Sequence, residues 1–320
     1  MLPALGIALA ILLLWKGADR VVDSAAVLAQ RIGISELVVG MTIVAMGTSA
    51  PEVAVSVGAA FRGQADLSIA NVVGSNIFNA GLILGLCALL YGVPTPRISV
   101  YRDVPVLVGS SALLLWFMHD RSLERIEGLI LLSGLIGYTT FLIHRSRRAT
   151  KAEVTIPVPQ ADTRPTWQHC SLFALGLATV VIGAQLLVIC ASILARAAGW
   201  SDWMIGVTVV AGGTSLPELA TSLLAARRNR AGIVIGNLVG SDIFNVLGVL
   251  GIAATVTVLN VDHAARTGLM VMLGFTLVLL GFMRSGWRVS RLEGAALIVL
   301  ALWRWSLDVV PGFWSLQTPQ

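Results

Sequence analysis

The sequence predicts an all-α membrane protein of about ten transmembrane helices, built as two inverted five-helix repeats. Composition is the first observation: of 320 residues, 56% are hydrophobic and 12% are charged, whereas about 25% of a soluble domain is charged. Apolar runs of about 20 residues, long enough to cross a bilayer, recur along the whole chain. The third observation is an internal repeat with one constant offset. Together these features indicate a polytopic membrane protein.

The apolar runs divide into two groups of five around a polar stretch. Residues 144–167 combine charged side chains with Pro157, Pro159 and Pro165, which is typical of a linker. We therefore predict a first five-helix repeat in 1–143, a cytoplasmic linker in 144–167 and a second, inverted repeat in 168–320. The predicted spans are 3–29, 35–60, 68–91, 104–118, 124–143, 169–197, 203–226, 232–257, 266–283 and 291–309.

Two motifs occur once in each half. An apolar run ending in Gly-Thr-Ser-x-Pro-Glu covers 40–52 and 206–218, and an Asn-rich partner covers 71–79 and 237–245. All copies are separated by 166 residues, and the same offset relates Arg125-Ile-Glu-Gly128 to Arg291-Leu-Glu-Gly294. Because each half has an odd number of spans, the second half enters the membrane the opposite way up. This is the inverted-topology repeat of many secondary transporters.

Basic residues indicate the orientation. Because they lie in loops between spans, the net charge of +5 is a topology signal and does not indicate a nucleic-acid partner. The linker side is richer in them and is therefore predicted to be cytoplasmic, with both termini outside. The linker side carries Arg31, Arg97, Arg102, Arg145, Arg147, Arg148, Lys151, Arg164, Arg227, Arg228, Arg230, Arg284, Arg288 and Arg291, and the other side carries Arg62, Arg121, Arg125, Arg196 and Arg266.

The Glu motif places oxygen ligands inside an apolar helix. Thr48 and Ser49 precede Glu52 by four and three residues and share its helical face. Pro51 lacks an N–H and leaves a backbone carbonyl free nearby. The second half repeats the arrangement in Thr214, Ser215 and Glu218. A carboxylate at this depth is costly, so it indicates a functional site.

The Asn motif adds hydroxyl and amide oxygens. Ser75 and Asn79 are four residues apart, as are Ser241 and Asn245. Carboxylate, hydroxyl, amide and backbone oxygens suit hard cations such as Ca²⁺ and Na⁺. No His or Cys accompanies them, which disfavours softer metals. Small residues in membrane helices often serve packing alone, but the matched recurrence of Glu, Pro, Ser and Asn favours one shared site.

The paired motifs resemble the two α-repeats of the cation/Ca²⁺ exchanger superfamily, and most of all its prokaryotic Na⁺/Ca²⁺ exchanger branch. The resemblance implies ten helices and a central site between the second, third, seventh and eighth. It also implies that the first and sixth helices slide across the others, and it implies a prokaryotic inner (plasma) membrane location. The implied metal ligands are Glu52, Glu218, Asn79 and Asn245, oxygens of Thr48, Ser49, Thr214, Ser215, Ser75 and Ser241, and the backbone carbonyls of Ala45 and Ala211.

The function we predict is Na⁺/Ca²⁺ antiport by alternating access, electrogenic as the resemblance implies, with Ca²⁺ and Na⁺ as substrates. No enzyme activity, cofactor, nucleic acid or nucleotide is expected, and the partner is the lipid bilayer. The alternative within the same fold is exchange of Ca²⁺, or another divalent cation, coupled to H⁺ or K⁺. Asn245, where several relatives carry Asp, resembles the K⁺-independent members. A channel is a further alternative, and so is an intramembrane hydrolase using Ser49 or Ser215, although the spans that carry them contain no His to act as a base.

Asp242 departs from the repeat, since its counterpart at the same offset is Asn76. Either the site holds two carboxylates and Asp242 lies off it, or Asp242 adds charge from the edge. Helical geometry favours the first interpretation, because Asp242 is about 100° round the helix from Ser241. An aspartate off the site should then face water or a basic side chain near the bilayer edge.

Overall fold

The protein is almost entirely helical. The computed structural model describes residues 2–152, 164–200, 209 and 211–309. Three parts of the predicted architecture lie outside the described residues: 153–163 of the linker, 201–208 and 210 in the seventh span and just before it, and the tail 310–320. The helices are α1 (Leu2–Ile32), α2 (Glu36–Thr48), α3 (Ala50–Phe61), α4 (Ala65–Tyr91), α5 (Ser99–Asp120), α6 (Arg125–Ala152), α7 (Thr166–Ala197), α8 (Ala211–Thr214), α9 (Leu216–Arg227), α10 (Ala231–Val256), α11 (His263–Arg284) and α12 (Arg291–Val309). The strands are β1 (Val93–Pro94), β2 (Ser122–Leu123), β3 (Leu259–Asn260) and β4 (Arg288–Val289).

Within the described ranges, seven helices are long and apolar enough to cross a membrane. The number is eight if α2 and α3, bent by 50°, form one span. The described parts of α8 and α9 are too short to qualify, and α12 carries charges at both ends, including Arg291, Glu293 and Arg304. An all-helical, multi-span membrane protein is thus confirmed, and the ten-helix inverted repeat stays a prediction.

Helix α6 continues nine residues past 143, the predicted end of the fifth span, and ends at Ala152. Residues 144–152 contain no Gly or Pro and are rich in Arg and Lys, which are good helix formers. A loss of hydrophobicity ends a membrane span, but it does not end a helix. At the other side of the linker, α7 begins at Thr166, two residues before the predicted boundary at 168.

Both Gly-Thr-Ser-x-Pro-Glu motifs interrupt their helices at the serine. Ser49 joins α2 to α3 with φ −81° and ψ 10°, and Ser215 joins α8 to α9 with φ −90° and ψ 8°. The proline falls in the first turn of the following helix in both copies. There its missing N–H costs nothing and its fixed φ suits a helix start. The prolines therefore begin new helices, and they place Glu52 and Glu218 in a first turn.

Helix α10 is the centre of the molecule. Every residue from 233 to 250 is buried, and glycines allow α2 to cross α10 at backbone contact. A Cβ on Gly236 would lie 2.5 Å from the Leu37 carbonyl oxygen, and one on Gly240 would lie 2.5 Å from the Met41 Cα. Both positions have room only for a hydrogen atom. The two glycines therefore determine where along α10 the helix α2 of the first half crosses.

Helices α1 and α7 form a second close pair at the periphery. A Cβ on Gly17 would lie 2.8 Å from the Gly176 carbonyl oxygen, and one on Gly183 would lie 3.0 Å from the Leu14 backbone nitrogen. Small residues at such crossings are typical of membrane helix pairs. Helices α1 and α7 therefore pack as one unit.

The four short strands connect the halves at their loops. Strand β1 pairs antiparallel with β4, and β2 pairs antiparallel with β3. The offset of 166 converts β1 into β3 and β2 into β4, so the two pairings exchange under the repeat. The β1–β4 pairing lies close in sequence to four arginines: Arg97, Arg102, Arg284 and Arg288. The β2–β3 pairing lies close in sequence to Arg121 and Arg266. This grouping agrees with the two sides assigned from sequence.

Candidate cation-binding site

The predicted ligands of the two halves come together at the middle of α10. Glu52, Glu218 and Asn245 have no exposed surface, and Asn79 is 1% exposed. They lie on α3, α9, α10 and α4 respectively, which belong to the second, seventh, eighth and third predicted spans. The hydroxyls predicted to join them are buried too: those of Thr48, Ser49, Ser75, Thr214, Ser215 and Ser241.

Each carboxylate accepts a hydrogen bond from a serine of the other half. The Ser49 hydroxyl donates to Glu218 Oε1 at 2.9 Å, and the Ser215 hydroxyl donates to Glu52 Oε1 at 3.1 Å. Longer contacts of 3.5 Å come from within each half, from Ser75 to Glu52 and from Ser241 to Glu218. The carboxylates are thus held across the contact between the halves.

Four oxygens of the site are buried and have no hydrogen-bond partner among the described residues. They are Glu52 Oε2, Glu218 Oε2, Asn79 Oδ1 and Asn245 Oδ1. Buried polar atoms are nearly always hydrogen-bonded, so such exceptions call for a functional explanation. Two carboxylate and two amide oxygens, related in pairs by the repeat, form a donor set suited to a hard cation.

The two asparagines lie on irregular turns. Asn79 falls in the π-helical turn Phe78–Ile83, and Asn245 falls in the equivalent turn Phe244–Val249. Such turns insert one extra residue and are frequent at functional sites. The extra residue rotates the following side chains around the helix axis. Their directions therefore differ from those expected for about 3.6 residues per turn.

Asp242 lies inside this cluster. It is 2% exposed, and its Oδ1 accepts a 2.9 Å hydrogen bond from the Asn79 side-chain amide. The expectation that Asp242 faces water or a basic side chain is therefore wrong, whereas the expectation that only two carboxylates bind the ion stays a prediction. The angle between Ser241 and Asp242 describes one helix only. The partner of Asp242 comes from α4, a second helix that this angle does not take into account.

Three more asparagines take part that the sequence did not single out as site residues. Asn76 accepts from the Asn245 amide at 3.0 Å, and Asn237 accepts from the Thr48 hydroxyl at 3.0 Å. Asn71 and Asn237 donate to Ser56 and Ser222, the same pair of contacts in the two halves. For Asn71 and Asn237 the available signal is their 166-residue offset.

The Ala45 carbonyl is already engaged. It accepts from the Ser49 backbone N–H at 3.0 Å and from the Thr48 hydroxyl at 3.3 Å. Ala211, its counterpart, is the first residue of α8. The direct part predicted for these two carbonyls stays a prediction.

The ion pairs that the structure shows among its described residues lie away from the cluster. They include Arg102 with Asp103, Arg228 with Asp19 and Asp23, and Arg230 with Glu36. The described part of the chain contains no group of three or more His, Cys, Asp or Glu arranged around a metal position. Amide and hydroxyl oxygens are therefore the further donors that the site offers a cation beside the two glutamates.

Comparison with known proteins agrees with this chemistry. The model of the sodium/calcium exchanger protein family matches residues 2–144 and 169–303. The chain belongs to the sodium/calcium exchanger family. Members of this family are membrane transporters and not enzymes, so the chain is a multi-pass integral membrane protein of the cation/Ca²⁺ exchange class.

Two relatives and one solved structure illustrate how far the similarity to exchangers extends. CaxA of Alkalimonas amylolytica is 37% identical over 90% of this chain and 92% of its own length. The sodium/calcium exchanger MaX1 of Methanosarcina acetivorans is 33% identical over 91% and 94%. The solved structure of the sodium-calcium exchanger NCX_Mj, soaked with Na⁺ and without Ca²⁺, superimposes with a TM-score of 0.83 at 28% identity, covering 95% of this chain and 98% of that one.

Proposed function

We propose that this exchanger is an electrogenic Na⁺/Ca²⁺ antiporter that works by alternating access. Ca²⁺ and Na⁺ compete for one central site, in which Glu52 and Glu218 supply charge and Asn79 and Asn245 supply neutral oxygens. Hydroxyls of the two Thr-Ser pairs and of Ser75 and Ser241 complete the shell. The chain needs no further cofactor, because the ion gradient supplies the energy.

The observation that carries this proposal is the set of four buried oxygens without partners. A structural packing motif would leave no such atoms, because each unpaired buried acceptor costs about 1–3 kcal/mol. A hydrolase would pair a serine with a base, but it would leave the buried amide oxygens of Asn79 and Asn245 without a role. A dehydrated cation bound between the two halves would give these oxygens a partner.

Charge balance explains why exchange is obligatory. Because the ion pairs shown among the described residues lie away from the site, an empty carrier would bury uncompensated carboxylates, at a cost of several kcal/mol per ion. One Ca²⁺ or two Na⁺ neutralise Glu52 and Glu218, and Asp242 is a third buried acid beside them, held by the Asn79 amide. If a third Na⁺ moves for each Ca²⁺, net charge crosses the membrane, and the membrane potential contributes about 2.3 kcal/mol per charge per 100 mV.

The α1–α7 pair is suited to control access. A Cβ on Gly47 would lie 2.5 Å from Leu177 of α7, and one on Gly213 would lie 2.1 Å from Val188 of the same helix. Helix α7 thus runs past both Gly-Thr-Ser motifs. Sliding of α1 and α7 as a unit would cover one side of the site while uncovering the other.

The proposed topology is ten helices in two inverted repeats, with both termini outside and the linker in the cytoplasm of a prokaryotic inner membrane. We expect a cysteine introduced at Ala161, in a variant with Cys87, Cys170 and Cys190 replaced by Ala, to react with a membrane-impermeant maleimide in inverted vesicles but not in intact cells. Labelling in intact cells would reverse the orientation. Equal labelling in both preparations would indicate mixed insertion.

Coupling is tested by ⁴⁵Ca²⁺ uptake into proteoliposomes. Uptake should follow an outward Na⁺ gradient, need no K⁺ and increase with an inside-positive potential set by a K⁺ gradient and valinomycin. The physical reason for K⁺ independence is the neutral Asn245 at a position where an acid would add a charge. Protein-free liposomes and the same vesicles without a Na⁺ gradient serve as controls.

The other outcomes each identify a different transporter. Uptake driven equally well by a pH gradient alone would mean H⁺ coupling. A strict K⁺ requirement would mean that a third cation is carried with Ca²⁺. Uptake that continues without any counter-ion and does not saturate would indicate a channel.

A further inference from the structure

Two hydrogen bonds at the site run between the halves and exchange under the repeat. The Asn79 amide nitrogen donates to Asp242 Oδ1 at 2.9 Å, and the Asn245 amide nitrogen donates to Asn76 Oδ1 at 3.0 Å. The offset of 166 turns Asn79 into Asn245 and Asn76 into position 242. Each candidate ligand is therefore held by the residue three positions before the equivalent ligand of the other half.

These bonds decide which way each asparagine points. A side-chain amide has an oxygen on one side and a nitrogen on the other, and a half-turn exchanges them. With the nitrogen engaged by Asp242 or Asn76, the oxygen faces the opposite way. Those two oxygens, Asn79 Oδ1 and Asn245 Oδ1, are the ones without partners among the described residues.

We propose that Asp242 and Asn76 are positioning residues that form a cross-repeat clamp, holding the amide oxygens of Asn79 and Asn245 toward the transported cation. The proposal deepens the proposed function and rests on it. Without the clamp, an asparagine could turn its NH₂ group toward the site and repel a cation. The clamp also joins α4 and α10, since the Asn76 amide donates to the Asp242 backbone carbonyl at 3.1 Å.

The clamp requires an acceptor oxygen and not a charge. The evidence is the difference between the two halves: Asn76, which is neutral, makes the contact with Asn245 that Asp242 makes with Asn79. Asn at position 242 can therefore present its own carbonyl oxygen to Asn79, whereas Ala cannot. This distinction separates positioning from a direct electrostatic contribution of Asp242 to the bound ion.

The test compares Asp242→Ala, Asp242→Asn, Asn79→Ala and the double variant Asp242→Ala/Asn79→Ala in purified protein. Thr255→Ala is the matched control, because the Thr255 hydroxyl donates to the Gly251 carbonyl of its own helix. The measurements are the Ca²⁺ concentration for half-maximal ⁴⁵Ca²⁺ uptake, the maximal rate, and Ca²⁺ binding by calorimetry in detergent.

Asp242→Ala should raise the half-saturating Ca²⁺ concentration by about tenfold or more, as the loss of an orienting partner does at metal sites. Asp242→Asn should stay within about threefold of wild type, because the new carbonyl oxygen can still accept from the Asn79 amide, as Asn76 accepts from Asn245. The double variant should be no worse than Asn79→Ala alone, since Asp242 acts through Asn79. Thr255→Ala should match wild type.

Three results would overturn the clamp while leaving the proposed function intact. They are an unchanged Ca²⁺ affinity in Asp242→Ala, an Asp242→Asn variant as impaired as Asp242→Ala, and additive effects in the double variant. A wild-type protein that neither binds nor transports Ca²⁺ would remove the proposed function, and the clamp with it.

Discussion

Glu218→Gln should reduce Ca²⁺ transport by at least about 100-fold, the equivalent of about 2.7 kcal/mol, while the protein still folds. Glutamine keeps an oxygen that can accept from Ser49, now 2.9 Å from Glu218 Oε1. Its NH₂ group, however, takes the place of the second carboxylate oxygen, and the negative charge that a divalent cation needs is lost. Glu52→Gln should behave in the same way, because Ser215 and Glu52 form the equivalent pair.

Two measurements separate loss of transport from loss of structure. The first is ⁴⁵Ca²⁺ uptake at equal protein content, and the second is the melting temperature with and without Ca²⁺. Wild type should melt at a higher temperature in Ca²⁺, since ligand binding stabilises the folded state. The variants should show no Ca²⁺ shift but an unchanged or higher melting temperature in its absence, because a buried unpaired charge has been removed.

The control is Glu127→Gln. The Glu127 side chain accepts from the Glu124 backbone N–H at the exposed start of α6, so its replacement should leave uptake intact. Normal transport by either site variant would exclude that carboxylate from the mechanism.

Gly240→Ala should destabilise the protein by about 1–3 kcal/mol, the usual cost of overpacking, and should abolish transport. The new Cβ would lie 2.5 Å from the Met41 Cα and 2.9 Å from the Met41 carbonyl oxygen. Both are backbone atoms that cannot rotate away. Helix α2 must therefore move, and it carries Thr48 and Ser49 with it.

The repeat supplies a matched control for this substitution. Gly74 is the counterpart of Gly240 at the 166-residue offset, yet a Cβ there meets nothing within 4 Å. Gly74→Ala should be neutral or stabilising by up to about 1 kcal/mol, because Ala favours a helix. Thermal melting and uptake of both variants check the prediction. Equal behaviour of the two would contradict the proposed crossing of α2 and α10.

Sequence reasoning was most successful where the two halves repeat each other. The helical membrane architecture and the clustering of Glu52, Glu218, Asn79 and Asn245 followed from apolar run lengths and from one constant offset. These are local patterns, visible within a single chain segment and its copy.

Contacts between different helices were beyond that reasoning. The position of Asp242 depends on a contact with α4, 163 residues away in the chain. The close crossing of α2 and α10 likewise depends on two separate helices that meet at Gly236 and Gly240. The π-helical turns at Asn79 and Asn245 carry no distinctive residue pattern that separates them from α-helix. The C-terminal end of α6 was not predicted, because hydropathy indicates which residues lie in the membrane and not how far a helix continues beyond it.

The exchanged serine–glutamate contacts have a consequence for how such a chain could have originated. Neither half supplies the shorter hydrogen bond to its own carboxylate: the one to Glu52 comes from Ser215, and the one to Glu218 comes from Ser49. An ancestor encoding a single half would have needed a second copy facing it before any ion could be coordinated. Fusion of two copies would have made that pairing permanent, and only then could the two partners diverge, as position 242 has from position 76.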